Sequence, residues 1–455
     1  MKFRRFLFWL LIFLLPVQLG RHFWPEWSYV FGLKIDYLSP TIYLTDILVL
    51  MILGLWVLKK APQQQNLKKM NPPPARRIGI SFGNPTFSFA GGRLRTSAFL
   101  LRLRRSCASW SKFRPIRLDA VAIIFPLAVF GFLLLSCFLA QNQGAAFYKF
   151  FKLIEFAFLG IYVSKEKIKL AEISLPLSLA VVYSFLIAFF QFLKQETLGG
   201  VFHWLGERSF SVSTPGIAKT VFQGRLLLRP YATFSHPNVL AGFVLISLIL
   251  IFVSKPTRNF KKILKWSTFV LGVVTIAFSF SRSTWAGGLL AILLFVFLAS
   301  FAKKKKILAL LGVFCLVLVF SQNILRGESF FQRIEFNKIA LQMVKTRPLI
   351  GVGLNNFIPQ LPDYWPKFGF TYWLQPVHNI FLLTAAEIGL VGLLIFLWFL
   401  FLTFKKLVVV KNRPLIIALS TILFLGFFDH YWLTLQQTQL LLTVILGLGW
   451  VKTRV

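Results

Sequence analysis

Apolar runs of about 17–25 residues recur along this chain, the length a helix needs to cross a bilayer. "LPLSLAVVYSFLIAFFQFL" is one of them. Such runs fall near 5–20, 43–58, 119–141, 145–164, 173–194, 236–254, 266–280, 285–302, 307–322, 378–404, 414–428 and 434–451. Composition agrees. The 455 residues are 57% hydrophobic and 14% charged, where soluble domains carry about a quarter charged residues. The expected fold is an all-α polytopic membrane protein of about twelve transmembrane helices.

The net charge of +37 looks at first like a nucleic-acid footprint. Position argues otherwise. The basic connectors "KFRR", Lys59 to Arg117, "KEKIK", "KPTRNFKKILK", "KKKK", "KKLVVVKNR" and "KTR" all fall on one side if both termini are cytoplasmic. They hold about 35 of the 51 Lys and Arg, the positive-inside bias of a membrane protein. The N-terminal run lacks a small-x-small cleavage site and reads as an uncleaved first span. The expected division is residues 1–60 with the first two spans, a basic cytoplasmic loop at 61–118, spans with an outer loop at 195–235 through 119–322, a large outer loop at 323–377, and the C-terminal spans at 378–455. The basic loop alternates breakers with cations and reads as disordered, with one stretch suited to anionic lipid. The three cysteines have no pairing or zinc spacing.

Within the span at 145–164, Lys149 and Lys152 are expected to snorkel to the outer interface. The large outer loop contains a helical stretch, "SFFQRIEFNKIALQMVKTRP", with apolar Phe331, Ile334, Ile339, Leu341 and Val344 near helical spacing.

Polar residues collect on the outer face. "RLLLRPYATFSHPN" carries Arg225, Arg229, His236 and Asn238. "SFSRSTWAGG" carries Arg282, and "QPVHN" carries His378 and Asn379. "FDHYWLTLQQTQ" carries Asp429. Arg282 sits between two apolar helices with hardly any loop, where a cation costs roughly 2.5–3.5 kcal/mol. Two offsets suit it: snorkelling to headgroups, or a bound anion held by the planar guanidinium fork. "SHPN" reads either as helix capping or as part of that anion site. His378 reads either as an interfacial residue or as a general base beside a phosphate site. Glu387 lies on a different helix face from His378 and reads as a structural or coupling acid inside the bundle. The chain has no Asp-x-Asp, Walker loop or His-Glu-x-x-His, and "GVG" at 351–353 is a weak phosphate-loop pattern.

In order, "RPYATFSHPNVLAG", "FSFSRSTWAGG", "RPLIGVGLNNF", "HNIFLLTAAEIGLVG" and "FDHYWLTLQQTQ" resemble the O-antigen ligase and O-antigen polymerase superfamily of bacterial membrane glycosyltransferases. The resemblance covers roughly residues 200–445. It implies a GT-C-like helical fold and transfer of a glycan from an undecaprenyl-diphosphate-linked donor on the extracytoplasmic side of the cell membrane, without metal, nucleotide sugar or other cofactor. The family's essential arginines map onto Arg229 and Arg282, with Arg225 competing for the first, and its essential histidine maps onto His378.

On this reading Arg229 and Arg282 hold the diphosphate, and His378 takes the proton of an acceptor hydroxyl that attacks with inversion. The large loop covers the glycan. Tyr364, Trp365, Tyr372 and Trp373 read as sugar-stacking rings or as an interfacial aromatic belt, and Asp429 as an arginine-orienting residue or a helix cap. The acceptor, a glycan, lipid or protein hydroxyl, separates ligase from polymerase and from protein O-glycosylation. A secondary transporter or lipid-linked glycan flippase is the alternative of another class. It is disfavoured by the absence of half-to-half similarity and by polarity gathered at one face.

Overall fold

A computed structural model describes residues 2–60, 118–253, 259–298, 328–365 and 373–451. Most of these residues are helical, with three small antiparallel strand pairs. The helices are α1 (Lys2–Phe13), α2 (Leu44–Lys60), α3 (Leu118–Phe138), α4 (Gln143–Lys165), α5 (Leu170–Lys194), α6 (Pro237–Val253), α7 (Asn259–Phe278), α8 (Arg282–Leu298), α9 (Glu328–Thr346), α10 (Phe357–Tyr364), α11 (Ile380–Val409), α12 (Arg413–Gly426), α13 (Tyr431–Thr434) and α14 (Gln436–Gly449). The chain divides into two units, Met1–Leu58 with Phe132–Val455, and Lys59–Gly131. In the second unit, the described residues from 118 onward belong to the first part of α3. The expected span at 307–322 and nearly all of the basic loop at 61–118 lie outside the described residues.

Among the described residues, α5 and α11 are long and apolar enough to cross a bilayer by themselves. Pro126–Phe138, Pro237–Phe252, Arg282–Leu298 and Arg413–Gly426 are shorter apolar helices. Helix α6 organises the first unit. Val239, Leu240, Phe243, Val244, Ile246 and Leu250 are all buried, so it is covered on every side, as a helix apolar all round must be. Helices α5, α7, α8 and α12 pack around it. Close approaches are made where side chains are small: Gly242 of α6 lies against Tyr431, and Gly447 of α14 against the Gly160 carbonyl of α4.

The strand pairs depart from an all-α reading. β1 (Gly20–His22) pairs with β4 (Thr41–Tyr43), and β2 (Tyr29–Val30) with β3 (Leu33–Lys34). β5 (Lys219–Phe222) pairs with β6 (Arg225–Leu228) in the register Lys219↔Leu228 to Phe222↔Arg225. The last hairpin turns on Gln223 and Gly224, both at positive φ, the twist that two-residue hairpin loops prefer. Strands of two to four residues are too short to print an alternating pattern in sequence.

Two local corrections concern charge and glycine. Lys149 and Lys152 do not reach for headgroups. Lys152 is buried and pairs with Asp46 and, at 3.6 Å, with Glu155. The Lys149 ammonium donates to the Leu433 carbonyl. An internal carboxylate and carbonyl replace water at a lower cost than an unpaired cation in hydrocarbon.

The "GVG" turn has a packing role. Helix α11 breaks at Ile388 and Gly389, and the turn seals the break. Val352 N–H donates to the Ala386 carbonyl at 2.8 Å, Gly353 N–H to the Glu387 carbonyl at 2.8 Å, and Leu390 N–H to the Pro348 carbonyl at 2.7 Å. Gly389 has φ 71°, and a Cβ there would stand 2.2 Å from the Leu349 carbonyl oxygen. Gly351, at φ 75°, is equally tight against Ala386 and Glu387. The two motifs "RPLIGVG" and "AAEIGLVG" are therefore two halves of one joint. The Glu387 carboxylate accepts from Phe357 N–H at the start of α10, and the Lys149 charge acts on it.

Helix α9 forms as expected, but its buried face is Phe336, Ile339, Ala340 and Met343, while Phe331 and Leu341 are exposed.

Candidate functional site

Three chain segments meet at the N-terminal end of α6. Pro237 is the first residue of that helix, where a missing N–H costs nothing. His236 and Asn238 therefore stand at its mouth. Asn238 N–H donates to His236 Nδ1 at 3.1 Å, which places the histidine's proton on Nε2. Arg229 follows strand β6 and is drawn in by two bonds. Its Nε donates to the Ser279 carbonyl at 2.7 Å, and one terminal nitrogen donates to Asn238 Oδ1 at 2.7 Å. Ser279 begins the three-residue link between α7 and α8, and α8 starts on Arg282. Arg229 is thus bonded to the backbone just three positions before Arg282, which explains how two arginines distant in sequence come together.

The far wall comes from the link between α12 and α13. Asp429 is buried, and its Oδ2 accepts from Asn238 Nδ2 at 3.1 Å. The same carboxylate lies 3.9 Å from Arg333 of α9, whose other nitrogen donates to the Phe428 carbonyl at 2.7 Å. Asp429 therefore ties Arg333 to Arg229 through Asn238. His378 is held just before α11, whose start is fixed by Asn379: its Oδ1 accepts from Phe381 N–H at 2.9 Å and Leu382 N–H at 3.0 Å. The His378 ring meets His430 at 5.2 Å between centroids and Phe336 at 6.1 Å. His378 Nδ1 is buried and makes no hydrogen bond among the described residues.

Arg229, Arg282, Arg333, His236, His378 and Asp429 all line one cavity of about 1130 Å3. Burial holds the imidazoles neutral. His378 is pushed down to about 4, by burial first, with Asp429 opposing and Arg333 adding to the shift. His236 and His430 also lie well below the ordinary histidine range for the same first cause. Burial lowers Arg229 to about 10, so it stays charged at neutral pH. The guanidiniums of Arg229, Arg282 and Arg333 line the cavity together with Asp429, and planar guanidinium forks suit a multiply charged anion.

Other expected residues are placed as follows. Arg225 is exposed on β6 and is not a cavity wall, whereas Arg229, four residues on, is. Tyr364 bonds Thr346 at 2.7 Å, and Trp365 packs on Phe336. Tyr372 lies outside the described residues, and Trp373 lines the cavity. Among the described residues, no group of three or more His, Cys, Asp or Glu gathers as a metal site. Sequence reasoning passed over Arg333 and His430. Arg333 stands in a helix read only for its apolar stripe, and His430 stands beside Asp429 in a motif already singled out.

Residues 267–397 match a family model described as O-antigen ligase. That segment is similar to the O-antigen ligase family. The match covers under a third of the 455 residues. It contains Arg282, Arg333, His378 and Glu387, while Arg229, His236, Asn238 and Asp429 reach the cavity from outside it. No curated protein matches the chain. The described part of the chain is mostly helical, and two of its helices are long and apolar enough to cross a membrane.

Proposed function

We propose that this protein transfers a glycan from an undecaprenyl-diphosphate-linked donor to an acceptor hydroxyl on the extracytoplasmic side of the cell membrane. The observation that carries the reading is the convergence of Arg229, Arg282 and His378 on one cavity. Arg229 and Arg282, joined by Arg333, grip the diphosphate and stabilise the charge that grows as the anomeric carbon–oxygen bond breaks. His378 is neutral and has a nitrogen without a partner among the described residues. It accepts the proton of the acceptor hydroxyl as that oxygen attacks with inversion. A base held near 4 is weak in the empty site, but an adjacent diphosphate raises the pKa of an imidazole. Donor binding thus readies the base. Asp429 keeps Arg333 and the Asn238–Arg229 pair in register. The proposal includes a GT-C-like bundle of about twelve spans with both termini cytoplasmic, and chemistry that needs no metal.

The test is transfer by purified protein from a synthetic undecaprenyl-diphosphate oligosaccharide. Arg282→Lys keeps the charge and loses the fork, and is expected to lower transfer by about 10²-fold with folding intact. His378→Ala is expected to abolish turnover while donor still binds. Activity is expected to persist in chelator, and the product anomer to be inverted. Wild-type turnover in either variant contradicts these roles.

A further inference from the structure

Among the described residues, two short stretches between α5 and α6 expose large apolar side chains that the cavity does not use. The first is the tip of the β5–β6 hairpin. Residues opposite each other in an antiparallel ladder project to one face, and their neighbours to the other. Val221 pairs with Leu226, and Phe222 with Arg225. The Phe222 ring leans on Phe280, in the link between α7 and α8, at 6.2 Å between centroids. On the other face Val221 is 69% exposed and Leu226 53%. Two residues nearer the body, that face holds buried Leu228 and the cavity-lining Lys219. The second stretch is a 3-10 helix, Gly200–Leu205. Positions three apart share a face in such a helix. Phe202 and Leu205 pack on the core, while Val201 is 72% exposed and Trp204 69%.

Continuity says what covers these faces. Helix α5 is long and apolar enough to cross a bilayer. Near its end, exposed Phe190 and Leu193 form a shallow apolar groove with Leu198 and Phe202, so the short helix continues the α5 surface. Phe192 of α5 stacks on Phe278, the last residue of α7, at 4.7 Å between centroids. Two residues further on, Phe280 meets Phe222. The hairpin tip therefore stands beside the ends of two apolar helices, where a crossing helix meets the headgroups.

Charge agrees. Between 198 and 229 the Lys and Arg residues are Arg208, Lys219, Arg225 and Arg229, and the one acid is Glu207. Glu207 is buried, and its carboxylate accepts from Leu198 N–H and Gly199 N–H, each at 2.8 Å, and from Gln191 Nε2 at 2.6 Å. This loop therefore turns no carboxylate outward to repel a phosphate surface. Arg225, which the cavity does not use, is exposed beside the turn. Its stem suits an apolar surface and its guanidinium a lipid phosphate. Exposed tryptophan is likewise the residue that favours a membrane boundary.

We propose that the β5–β6 tip and the helix Gly200–Leu205 are seated in the outer leaflet, with Val201, Trp204, Val221 and Leu226 against acyl chains and Arg225 at a lipid phosphate. The inference rests on the membrane reading, under which α5 crosses, and adds a bilayer contact made outside the spans. Strand β6 runs directly into Arg229, whose N–H donates to the Ala218 carbonyl at 3.2 Å. A seated hairpin thus ties that arginine to the level of the headgroups.

The experiment uses the full chain, carrying Cys107→Ser, Cys137→Ala and Cys315→Ser, in nanodiscs of phosphatidylethanolamine and phosphatidylglycerol without donor. Single spin labels are placed through Val221→Cys, Leu226→Cys and Trp204→Cys. Leu186→Cys, on the exposed side of α5, and Ser213→Cys, exposed in the same loop as the hairpin, serve as references. Collisions with oxygen report lipid, and collisions with a water-soluble nickel chelate report water. The labels at 221, 226 and 204 are expected to follow the one at 186, with chelate collisions about fivefold below those at 213. Adding Arg225→Glu is expected to raise chelate collisions at 221 by about twofold, as a carboxylate is repelled from the phosphates. No rise overturns the Arg225 contact. Labels at 221 and 226 as open to the chelate as 213 overturn the proposal. So do labels shielded from both reagents, which would mark a second copy or another protein on this face. The three labelled positions are independent and exposed, so a variant that does not fold leaves two others to decide. Chelate access at 186 removes the membrane reading itself, an outcome distinct from water at the hairpin alone.

Discussion

At the residue scale, Asn238 and Asp429 deserve as much weight as the arginines they hold. Asn238 Oδ1 and Nδ2 are both used, one by Arg229 and one by Asp429. Asn238→Asp puts a second carboxylate against Asp429 and removes the amide donor. Asn238→Leu leaves the Asp429 oxygen and one Arg229 nitrogen short of a partner. Each is expected to raise donor KM by about tenfold, because an unmatched buried polar group costs about 1–3 kcal/mol. Arg333→Ala is expected to act in the same direction, measured as donor KM in the purified transfer assay. Arg229, Arg282 and His378, which line one cavity, stood out in the sequence because an arginine without a loop and a histidine at a helix mouth each need an explanation. Arg333 was not legible, since one charged residue on an exposed amphipathic helix looks like any solvated face. Only the meeting of α9 with the link after α12 gives it a partner. The choice between Arg225 and Arg229 also needed geometry, because the hairpin turns one outward and delivers the other to Ser279.

At the scale of elements, the joint between the "GVG" turn and the break in α11 carries the site. It positions Glu387 at the start of α10 and sets the course of α11, at whose mouth His378 stands. Gly389→Ala places a Cβ 2.2 Å from a carbonyl oxygen at a positive φ. It is expected to cost about 1–3 kcal/mol, read as a lowered Tm in detergent together with a loss of transfer. An unchanged Tm contradicts the joint. Sequence periodicity gave the helices here but not the break, because a glycine in an apolar run reads equally as a packing residue. The same limit hid the small hairpins before α2, whose Tyr37 and Tyr43 reach the cavity. Lys149 and Lys152 show a further limit: a lysine in a span reads as a snorkelling cation until its partner, Asp46, is brought up from a distant part of the chain.

At the scale of the whole molecule, three imidazoles, His430 buried and His236 and His378 half-buried, make the fold sensitive to acid. His236, His378 and His430 all have native pKa values below the ordinary histidine value of about 6.5. The unfolded chain binds protons there more readily than the native one, so the stability they contribute is full above about pH 6.5 and is lost as pH falls towards 4. Tm in detergent is expected to fall across that window, and kcat/KM to stay flat through pH 6.5, where an ordinary histidine base would already be losing activity. A midpoint near 6.5 in the activity profile contradicts the half-buried, neutral state of His378. The membrane class and the helical fold were legible because the apolar runs are long and the basic loops alternate. The cavity was not, because its walls come from both ends of the chain and from the middle. The most direct test of the central claim is a cryo-electron microscopy structure with undecaprenyl diphosphate bound. The account predicts phosphate oxygens within hydrogen-bonding reach of Arg229 and Arg282, with His378 facing the position of the anomeric carbon. A diphosphate seated elsewhere, with both guanidiniums uncontacted, contradicts it.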